Sequence, residues 1–269
     1  MSTQFIDDPE DPRVAAYRDI RERDLTGREG LFIAEGEVVL RTLLSPASLC
    51  RPLSLLIASS RLEAQAGLIA AAPPGTPVYG ASQAVLDRVA GFPLHRGLLG
   101  LGERPPARTV EAVLAELPAD CVVLACSGIG NHDNMGGLFR NAAAFGAAAV
   151  LFDDRCCDPF YRKAIRVSVG AVLRTPAAAA ASLEALVAAL QAERFEVIAL
   201  SPGAREPLRA VKGGGRQAIL VGSEGPGLPP AMIARLRSVA IPMAGGFDSL
   251  NVAVSSALAL HQVSNMSVR

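Results

Sequence analysis

A hydrophobic strand predicted over residues 217–221 runs into the loop Gly222-Ser-Glu-Gly-Pro-Gly-Leu-Pro-Pro230, whose final prolines begin a predicted helix. A second short apolar run ends in Ile241-Pro-Met243, crosses a glycine turn and enters a helix of small residues at Ser249-Leu-Asn-Val252. Neither loop contains a lysine, so a ligand there would be held by main-chain groups rather than by charge. This pattern favours an adenosyl compound over a nucleoside triphosphate. Two ordinary strand-to-helix turns of an α/β domain are the alternative.

The composition describes a chain with a large apolar core and no overall charge. Of its 269 residues, 50% are hydrophobic, which is enough for one large or two ordinary domains. The formal net charge is zero, so a nucleic-acid surface would have to be a local basic patch or be shared between two subunits. The five cysteines lack metal-ligand spacing and only three histidines are present, so we expect reduced thiols and no metal.

The N-terminal residues contain neither the basic region nor the apolar stretch of a signal peptide. No uninterrupted apolar run reaches the length that a membrane-spanning helix needs. We therefore expect a cytoplasmic protein that does not contact a membrane.

Strands and helices alternate in two blocks separated by Gly102-Glu-Arg-Pro-Pro-Ala-Arg108, which interrupts the pattern and indicates a linker. This alternation predicts a parallel sheet covered by helices on both faces. We thus expect an α/β protein with a smaller N-terminal domain (residues 1–106) and a C-terminal domain (residues 107–269). In the first block the predicted helices cover residues 12–23, 37–44, 62–71 and 83–89, and the predicted strands residues 31–34, 53–58, 77–79 and 97–101. In the second block the helices cover residues 135–145 and 183–192, and the strands residues 121–125, 148–152 and 196–200.

The strand predicted over residues 121–125 opens into Ser127-Gly-Ile-Gly-Asn-His-Asp-Asn-Met-Gly-Gly-Leu-Phe-Arg140. Asn134 is the predicted N-cap of the next helix, which puts Gly136 and Gly137 in its first turn. Each glycine costs the helix about 1 kcal/mol relative to alanine, but it leaves the free N–H groups open to a phosphate. Arg140 lies about one and a half turns farther along the helix and would point toward the same phosphate site at the helix start. An ordinary helix start with a solvated arginine is the alternative.

The same segment supports a competing interpretation as a dinucleotide site. Gly128-x-Gly130 follows a strand, and Asp153 and Asp154 end the next strand, as in a Rossmann fingerprint. Asp133 stands where the third glycine would be, so the match is incomplete. A P-loop is excluded because no glycine loop continues into Gly-Lys-Ser/Thr.

The densest basic cluster lies between the two glycine-rich segments. It contains Arg155, Arg162, Lys163 and Arg166, with Tyr161 among them. Such a cluster would follow an RNA backbone, although a solvated helix face explains the same pattern. The chain has no tryptophan, which disfavours extended binding of single strands on aromatic platforms.

Taken together, these segments resemble the SpoU (TrmH-like) family of RNA ribose 2′-O-methyltransferases, within the SPOUT class. Asn134-x-Gly136-x-x-x-Arg140 with Ala142-Ala-Ala-Phe-Gly146 is similar to the family's first motif, and Gly222-Ser-Glu-Gly-x-Gly-Leu228 to its second. Ile241-Pro-Met243 with Ser249-Leu-Asn-Val252 is similar to the third. The N-terminal Phe32-Ile-Ala-Glu-Gly36 resembles the family's small RNA-binding domain, which is itself similar to a ribosomal protein.

The resemblance implies a trefoil-knotted C-terminal domain, a homodimer built on the catalytic domains, and S-adenosylmethionine as methyl donor. Knots are rare exceptions to the topology rules, and no periodicity could have indicated one. The acceptor would be a ribose of tRNA or ribosomal RNA, so RNA and a twin subunit are the expected partners. The donor would lie in the knot against the following residues: Leu200, Ser201, Gly222, Ile241, Ser249 and Leu250.

The resemblance also implies the catalytic residues, which are Arg140, Asn134, Glu224 and Asn251. Arg140 would hold the acceptor phosphate and the developing alkoxide, because an arginine that stays protonated is a poor general base. Asn134 would orient the nucleotide or Arg140. Glu224 would fix an arginine or the loop backbone, with a role as base as the weaker option. Ser249 would cap the last helix and, with Asn251, shape the pocket.

The last predicted helix, over residues 249–261, is apolar on nearly every face. Such a helix requires burial on all sides. We expect it to be buried partly in the knot and partly against the twin subunit.

Two other classes of function stay open. One is an NAD-type oxidoreductase, against which the missing third glycine argues. The other is a non-catalytic RNA-binding protein that keeps the fold, against which the intact set of Asn134, Arg140, Glu224 and Asn251 argues.

Overall fold

The computed structural model describes residues 3–18, 30–245 and 249–264. No helix within these ranges is both long enough and apolar enough to cross a membrane. The strands are β1 (Thr3–Ile6), β2 (Leu31–Glu35), β3 (Arg51–Ala58), β4 (Val78–Ala81), β5 (Leu98–Glu103), β6 (Cys121–Cys126), β7 (Val150–Asp153), β8 (Ala177–Ala180), β9 (Glu196–Leu200), β10 (Glu206–Pro207), β11 (Arg216–Val221) and β12 (Arg237–Ala240). The helices are α1 (Glu37–Leu43), α2 (Ala66–Ala70), α3 (Gln83–Ala90), α4 (Val110–Ala115), α5 (His132–Ala144), α6 (Arg162–Val167), α7 (Leu183–Ala192), α8 (Pro230–Ile233) and α9 (Val252–Val263).

The chain divides into two compact units. The first is Met1–Pro106 with Asp158–Arg174, and the second is Ala107–Cys157 with Thr175–Arg269. The first break falls at Pro106, within the predicted linker. The predicted second domain over residues 107–269 differs in one respect, because the segment that contains α6 belongs to the first unit.

The first unit is built on a five-stranded sheet in the order β1-β4-β3-β5-β2. Strands β1, β3 and β4 run parallel, whereas β5 pairs antiparallel with β2 and β3. The first unit is thus an α/β unit with a mixed sheet, and alternation of strands and helices does not by itself fix strand direction. Tyr17 is fully buried in the core, and its hydroxyl accepts a hydrogen bond from Leu101 N at 3.1 Å.

The second unit is built on a seven-stranded sheet in the order β10-β12-β9-β11-β6-β7-β8, in which every pair is parallel. The predicted α/β architecture with a parallel sheet is confirmed. Central strands β6 and β11 are buried along almost their whole length, as in sheets with both faces covered. Alternate strand residues such as Val123 and Ala125 join α4 and α7 in one core, while α9 contacts β6, β11 and α5.

Several element boundaries differ from the sequence prediction. The helix predicted over residues 12–23 is a 3-10 turn, Pro12–Tyr17, capped by the Asp11 carboxylate, and its predicted part from residue 19 onward lies outside the described residues. The linker is shorter than predicted, because Gly102 and Glu103 belong to β5. The helix predicted over residues 62–71 is reduced to α2.

Candidate functional site

The carboxyl ends of β9, β11 and β12 form one edge of the second sheet, because these strands are parallel neighbours. Leu200 ends β9, and Ser201, Gly222 and Ile241 are the first residues beyond the three strands. Ser201 N donates to Val239 O at 3.0 Å, which keeps the chain beyond β9 against β12. Ligands of open α/β sheets bind at this kind of edge. The structure thus brings together four of the residues that the resemblance connects with the donor.

The loop after β11 folds back on its own first residue. A Cβ on Gly222 would lie 2.5 Å from Leu228 N and 2.6 Å from Gly227 C, so only glycine fits there. Gly227 N donates to Ser223 O at 3.2 Å and closes the turn. The φ angles of Gly225 and Gly227 are 83° and 65°, in the region that favours glycine. The loop therefore holds an exposed main-chain turn at the sheet edge.

Three polar side chains from separate parts of the sequence meet beside this loop. Glu224 Oε1 accepts hydrogen bonds from Asn134 Nδ2 and, at 3.3 Å, from Asn251 Nδ2. Asn251 Nδ2 also donates to Asn134 Oδ1 at 2.9 Å. We call this group the Asn–Glu–Asn network. Within this network Glu224 contacts two asparagines, and the Asn134 amide contacts these partners and not Arg140, while the roles predicted for the three residues stay predictions.

Helix α5 begins three residues earlier than the sequence predicts, because Asn131 and not Asn134 is its N-cap. Asn131 Oδ1 accepts hydrogen bonds from Asp133 N at 2.8 Å and from Asn134 N at 3.4 Å. Asn134 consequently lies in the first turn of the helix. The residue is 6% exposed, and its side chain takes part in the Asn–Glu–Asn network.

In α5, Gly137 serves helix packing and lies away from the first turn, where a phosphate contact was predicted. With the helix starting at His132, Gly136 and Gly137 lie beyond its first turn. A Cβ on Gly137 would lie 2.8 Å from Ala253 Cβ, so this glycine lets α9 approach closely. Asn141 Nδ2 donates to Ala253 O at 2.6 Å across the same contact. The two helices that carry the asparagines of the network are thereby locked together.

Helix α9 begins at Val252 and has Asn251 as its N-cap, so the start predicted at Ser249 is wrong. Asn251 Oδ1 accepts hydrogen bonds from Ala253 N at 2.9 Å and from Val254 N at 3.4 Å, so Asn251 takes the capping role predicted for Ser249. Ser249 and Leu250 directly precede the cap. The Asn251 side chain therefore starts the helix with its oxygen and joins the network with its nitrogen.

The same helix presents an apolar stripe to solvent in the single chain. Val254 and Leu258 lie four residues apart on α9 and are 49% and 44% exposed, and Leu250, just before the cap of the helix, is 41% exposed. Val252 and Leu260 are buried on the opposite face. One face of the helix is therefore buried within the chain, and the expected burial of the other face against a twin subunit stays a prediction.

A cleft of about 280 Å³ lies beside the Asn–Glu–Asn network. Its lining residues come from the loop after β6, from the start of α5 and from the loop after β11: Gly128, Ile129, Gly130, Asn131, Asn134, Ser223 and Glu224. The cleft is therefore bounded by two of the segments that the sequence analysis singled out.

Asp153 is fully buried at the end of β7 and holds the loop that lines this cleft. Its carboxylate accepts hydrogen bonds from Ser127 Oγ at 2.6 Å, Gly128 N at 2.9 Å and Arg155 N at 3.2 Å. Burial raises the pKa of the Cys156 thiol to about 12, so this thiol stays protonated and donates to Asp153 at 3.3 Å. Asp153 therefore faces the protein interior, whereas the dinucleotide interpretation requires a carboxylate that is open to a ribose.

Asp153→Ala should lower the free energy of unfolding by about 3 kcal/mol, because it leaves a buried hydroxyl and a loop N–H without their acceptor. Urea denaturation followed by circular dichroism measures the change. Asp154→Ala is the matched control, since this neighbouring side chain is exposed and should contribute less than about 0.5 kcal/mol. Equal unfolding midpoints for the two variants would contradict the assigned role of Asp153.

Arg140 is exposed on α5 and makes no hydrogen bond or ion pair with any residue that the structure describes. It follows Asn134 by six residues, which corresponds to about 9 Å along the helix axis. The cleft is not lined by Arg140. Within this chain, the structure therefore brings Asn134, Glu224 and Asn251 together but leaves Arg140 apart from them.

The predicted basic cluster divides between the two units. In the first unit, Arg162 and Arg166 pair with Glu35 at 2.6 and 3.6 Å. The Arg162 guanidinium also lies 4.7 Å from the centre of the Phe92 ring, and its side chain is only 16% exposed. Arg162 thus forms a largely buried ion pair within the first unit. It therefore belongs neither to an RNA-binding surface nor to a solvated helix face, the two interpretations of the cluster. Arg155 belongs to the second unit and stays exposed.

Sequence reasoning missed Asn131, and it considered Asp153 only as the carboxylate of a dinucleotide site and not as an inward-facing support of the loop. Asn131 had a usable signal, because an asparagine between a strand and a helix is a favourable N-cap. No sequence signal indicated the inward position of Asp153, because its partners Ser127 and Gly128 lie 26 and 25 residues away in the sequence.

Comparison with known proteins matches residues 121–261 to the model of the SpoU rRNA Methylase family. The chain is 39% identical over 273 residues to uncharacterized tRNA/rRNA methyltransferases of Mycobacterium bovis and Mycobacterium tuberculosis, with 97% of this chain and 92% of each relative covered. Among solved structures, an RNA 2′-O ribose methyltransferase is similar with 27% identity and a TM-score of 0.78, covering 96% of this chain and 97% of that one. An AdoMet-bound rRNA methyltransferase from Sinorhizobium meliloti shares the fold at 23% identity, with a TM-score of 0.76 and 97% of both chains covered.

Proposed function

Because the chain belongs to the SpoU rRNA methylase family, as its three motifs predicted, we propose that it transfers a methyl group from S-adenosylmethionine to a ribose 2′-hydroxyl of tRNA or ribosomal RNA. The Asn–Glu–Asn network is the observation that carries the proposal, since Asn134, Glu224 and Asn251 each come from a different motif. The similar solved structure described as an RNA 2′-O ribose methyltransferase supports ribose as the acceptor.

We assign the methyl donor to the sheet edge at Ser201, Gly222 and Ile241. The residues fit such a ligand, because the turn after Gly222 exposes main-chain groups and Leu250, beside the cap of α9, offers an apolar surface to an adenine. S-adenosylmethionine supplies a methyl group on a positively charged sulfonium, so the protein does not need to activate the donor. The Sinorhizobium meliloti protein, which has the same fold, is described as AdoMet-bound.

On the acceptor side, the chain has to orient the ribose and help its hydroxyl to lose a proton. We assign Arg140 to the acceptor phosphate and the developing alkoxide, since its guanidinium has no partner among the described residues. Glu224 Oε1 already accepts from two amides, so we assign Glu224 a positioning role and let the proton pass to a phosphate or to water.

We assign the apolar stripe of α9 to a homodimer interface. Val254 and Leu258 are apolar side chains on one face of α9 that are 49% and 44% exposed, so each would gain about 1 kcal/mol from burial of its remaining exposed surface. A second copy of the chain suits this face, because a protein without net charge gains a larger RNA surface by combining two subunits. The trefoil knot, which the resemblance also implies, stays a prediction.

Val254→Asp and Leu258→Asp should each convert the dimer into a monomer at micromolar concentration, because a carboxylate would be buried in the interface without a partner. Sedimentation equilibrium measures the mass of each variant. Val38→Asp is the matched control, since Val38 is 57% exposed on α1 in the first unit and should leave the mass unchanged. A monomeric wild-type protein at this concentration would refute the interface.

We further propose that the first unit selects the RNA in the cytoplasm. A truncation that begins at Arg108 is a poor test of this idea, because it would retain Asp158–Arg174 without the rest of its unit. Point substitutions on the first unit, combined with an RNA-binding assay, avoid this difficulty.

Methylation mapping tests the proposed function. Purified protein, labelled donor and RNA from a strain that lacks the gene should give label at a position that resists alkaline cleavage, because a methylated 2′-oxygen cannot attack its phosphate. Label on a base would overturn the ribose assignment. RNA binding without transfer would favour the non-catalytic alternative. Calorimetry with a chelator present should show donor binding, whereas binding of NAD alone would favour an oxidoreductase.

A further inference from the structure

Arg155 reaches the rim of the cleft beside Gly128. A Cβ built on Gly128 would lie 3.3 Å from Arg155 Nη2 and 3.3 Å from Ser223 Cβ. The guanidinium and Ser223 therefore flank the same glycine. Gly128 and Ser223 line the cleft, and Gly128 has a φ of 67°, which favours glycine.

The fold does not use this guanidinium. Arg155 makes no side-chain hydrogen bond or ion pair with the described residues, although Asp153 and Asp154 are its neighbours in sequence. The Asp153 carboxylate is occupied by Ser127 Oγ and by main-chain N–H groups. An exposed guanidinium with five donors is well suited to the oxygens of a phosphate.

The position of Arg155 is nevertheless fixed at its backbone. Asp153 Oδ1 accepts from both Gly128 N, at 2.9 Å, and Arg155 N, at 3.2 Å. One buried carboxylate therefore holds the wall of the cleft and the base of the arginine in register. Such preorganisation lowers the cost of ordering the groups when a ligand binds.

Resting on the proposed function, we propose that Arg155 binds a phosphodiester of the substrate RNA, other than the acceptor phosphate assigned to Arg140, while one sugar-phosphate unit of the RNA occupies the cleft between Gly128 and Glu224. Small-molecule sites measure about 300–1,000 Å³, and at about 280 Å³ the cleft accepts one sugar-phosphate unit instead of a run of bases. Its lining includes the carboxylate of Glu224 and no cation. Arg155 at the rim supplies the positive charge that a phosphodiester needs, and phosphate contacts of this kind position a nucleic acid without reading its sequence.

Arg155→Gln should weaken RNA affinity about tenfold, the size expected for one charge-assisted contact. It should also reduce the slope of log affinity against log salt by about 0.7–0.9, the value for one neutralised phosphate. Arg155→Lys should retain the slope, because the charge remains, and regain only part of the affinity. Donor affinity and the transfer rate at saturating RNA should stay near the wild-type values.

Filter binding across a salt series, with RNA from a strain that lacks the gene as the probe, measures affinity and slope for each variant. Arg194→Gln is the matched control, because Arg194 is exposed just before β9, at the opposite edge of the sheet. An Arg155→Gln protein that matches this control would overturn the proposal. A lower transfer rate with unchanged RNA affinity would overturn it as well. If wild-type protein binds RNA but transfers no methyl group, the proposed function fails, while the salt slope still decides the role of Arg155.

Discussion

Arg140→Ala and Arg140→Lys should each lower the single-turnover rate of RNA methylation by at least about a hundredfold, the size typical of losing one electrostatic stabiliser of a transition state. Lysine should not rescue the rate, because its ammonium is a point charge without the planar fork that matches two oxygens. Donor affinity should be nearly unchanged, since the donor is assigned to the sheet edge and Arg140 is exposed on α5. Single-turnover transfer to prebound RNA and calorimetry of the donor measure the two quantities.

Arg140 makes no hydrogen bond or ion pair with the described residues, so its loss should not affect stability. Its replacement should therefore leave the unfolding midpoint unchanged, so a lost rate cannot be assigned to lost folding. Arg194→Ala provides the control for removal of an exposed arginine away from the site. Near-normal turnover in either Arg140 variant would reduce Arg140 to a solvated helix residue.

Gly222→Ala should weaken donor affinity about thirtyfold, because an overpacked site costs about 1–3 kcal/mol and 1.4 kcal/mol corresponds to a factor of ten. The new Cβ would meet Leu228 N at 2.5 Å and Gly227 C at 2.6 Å. Both are main-chain atoms, so the contact is relieved only by moving the loop that borders the donor edge. Calorimetry with S-adenosylmethionine measures the loss.

Gly203→Ala is the control for this effect. Gly203 follows β9 near the same edge, and a Cβ there would find its nearest neighbour, Ser201 Oγ, at 3.9 Å. Its donor affinity should stay close to the wild-type value. Equal affinities for the two alanine variants would show that the loop after Gly222 does not hold the donor.

The architecture of the second unit could be predicted because its signal is local. Alternating strands and helices predicted its parallel sheet, and three motifs in sequence identified the family, which the match over residues 121–261 confirms. The first unit shows the limit of this reasoning. Strand β5 runs antiparallel to its neighbours there, and direction is decided by pairing between residues as distant as Arg51 and Glu103.

The details of the site depend on contacts that are distant in sequence. Asn131 and Asn134 are equally good capping residues, and the choice between them is made by which backbone N–H groups turn toward the side chain. Gly137 suggested an open phosphate site, but a glycine is needed there because Ala253 of another helix packs against it. Arg162 suggested an RNA-binding surface, but its partner Glu35 lies 127 residues away. Periodic patterns in the sequence cannot predict these long-range contacts.

The residues of the Asn–Glu–Asn network are far apart in the sequence, which affects when the network can form during folding. Glu224 receives one donor from 90 residues earlier in the chain and another from 27 residues later, and the two asparagines that bond each other are 117 residues apart. Contacts of such separation close large loops and form late, after local structure is in place. A chain whose sheet has formed while α9 is still undocked has a Glu224 without Asn251 and a loop without its anchor. The Asn–Glu–Asn network is therefore expected to be complete only after α9 has docked.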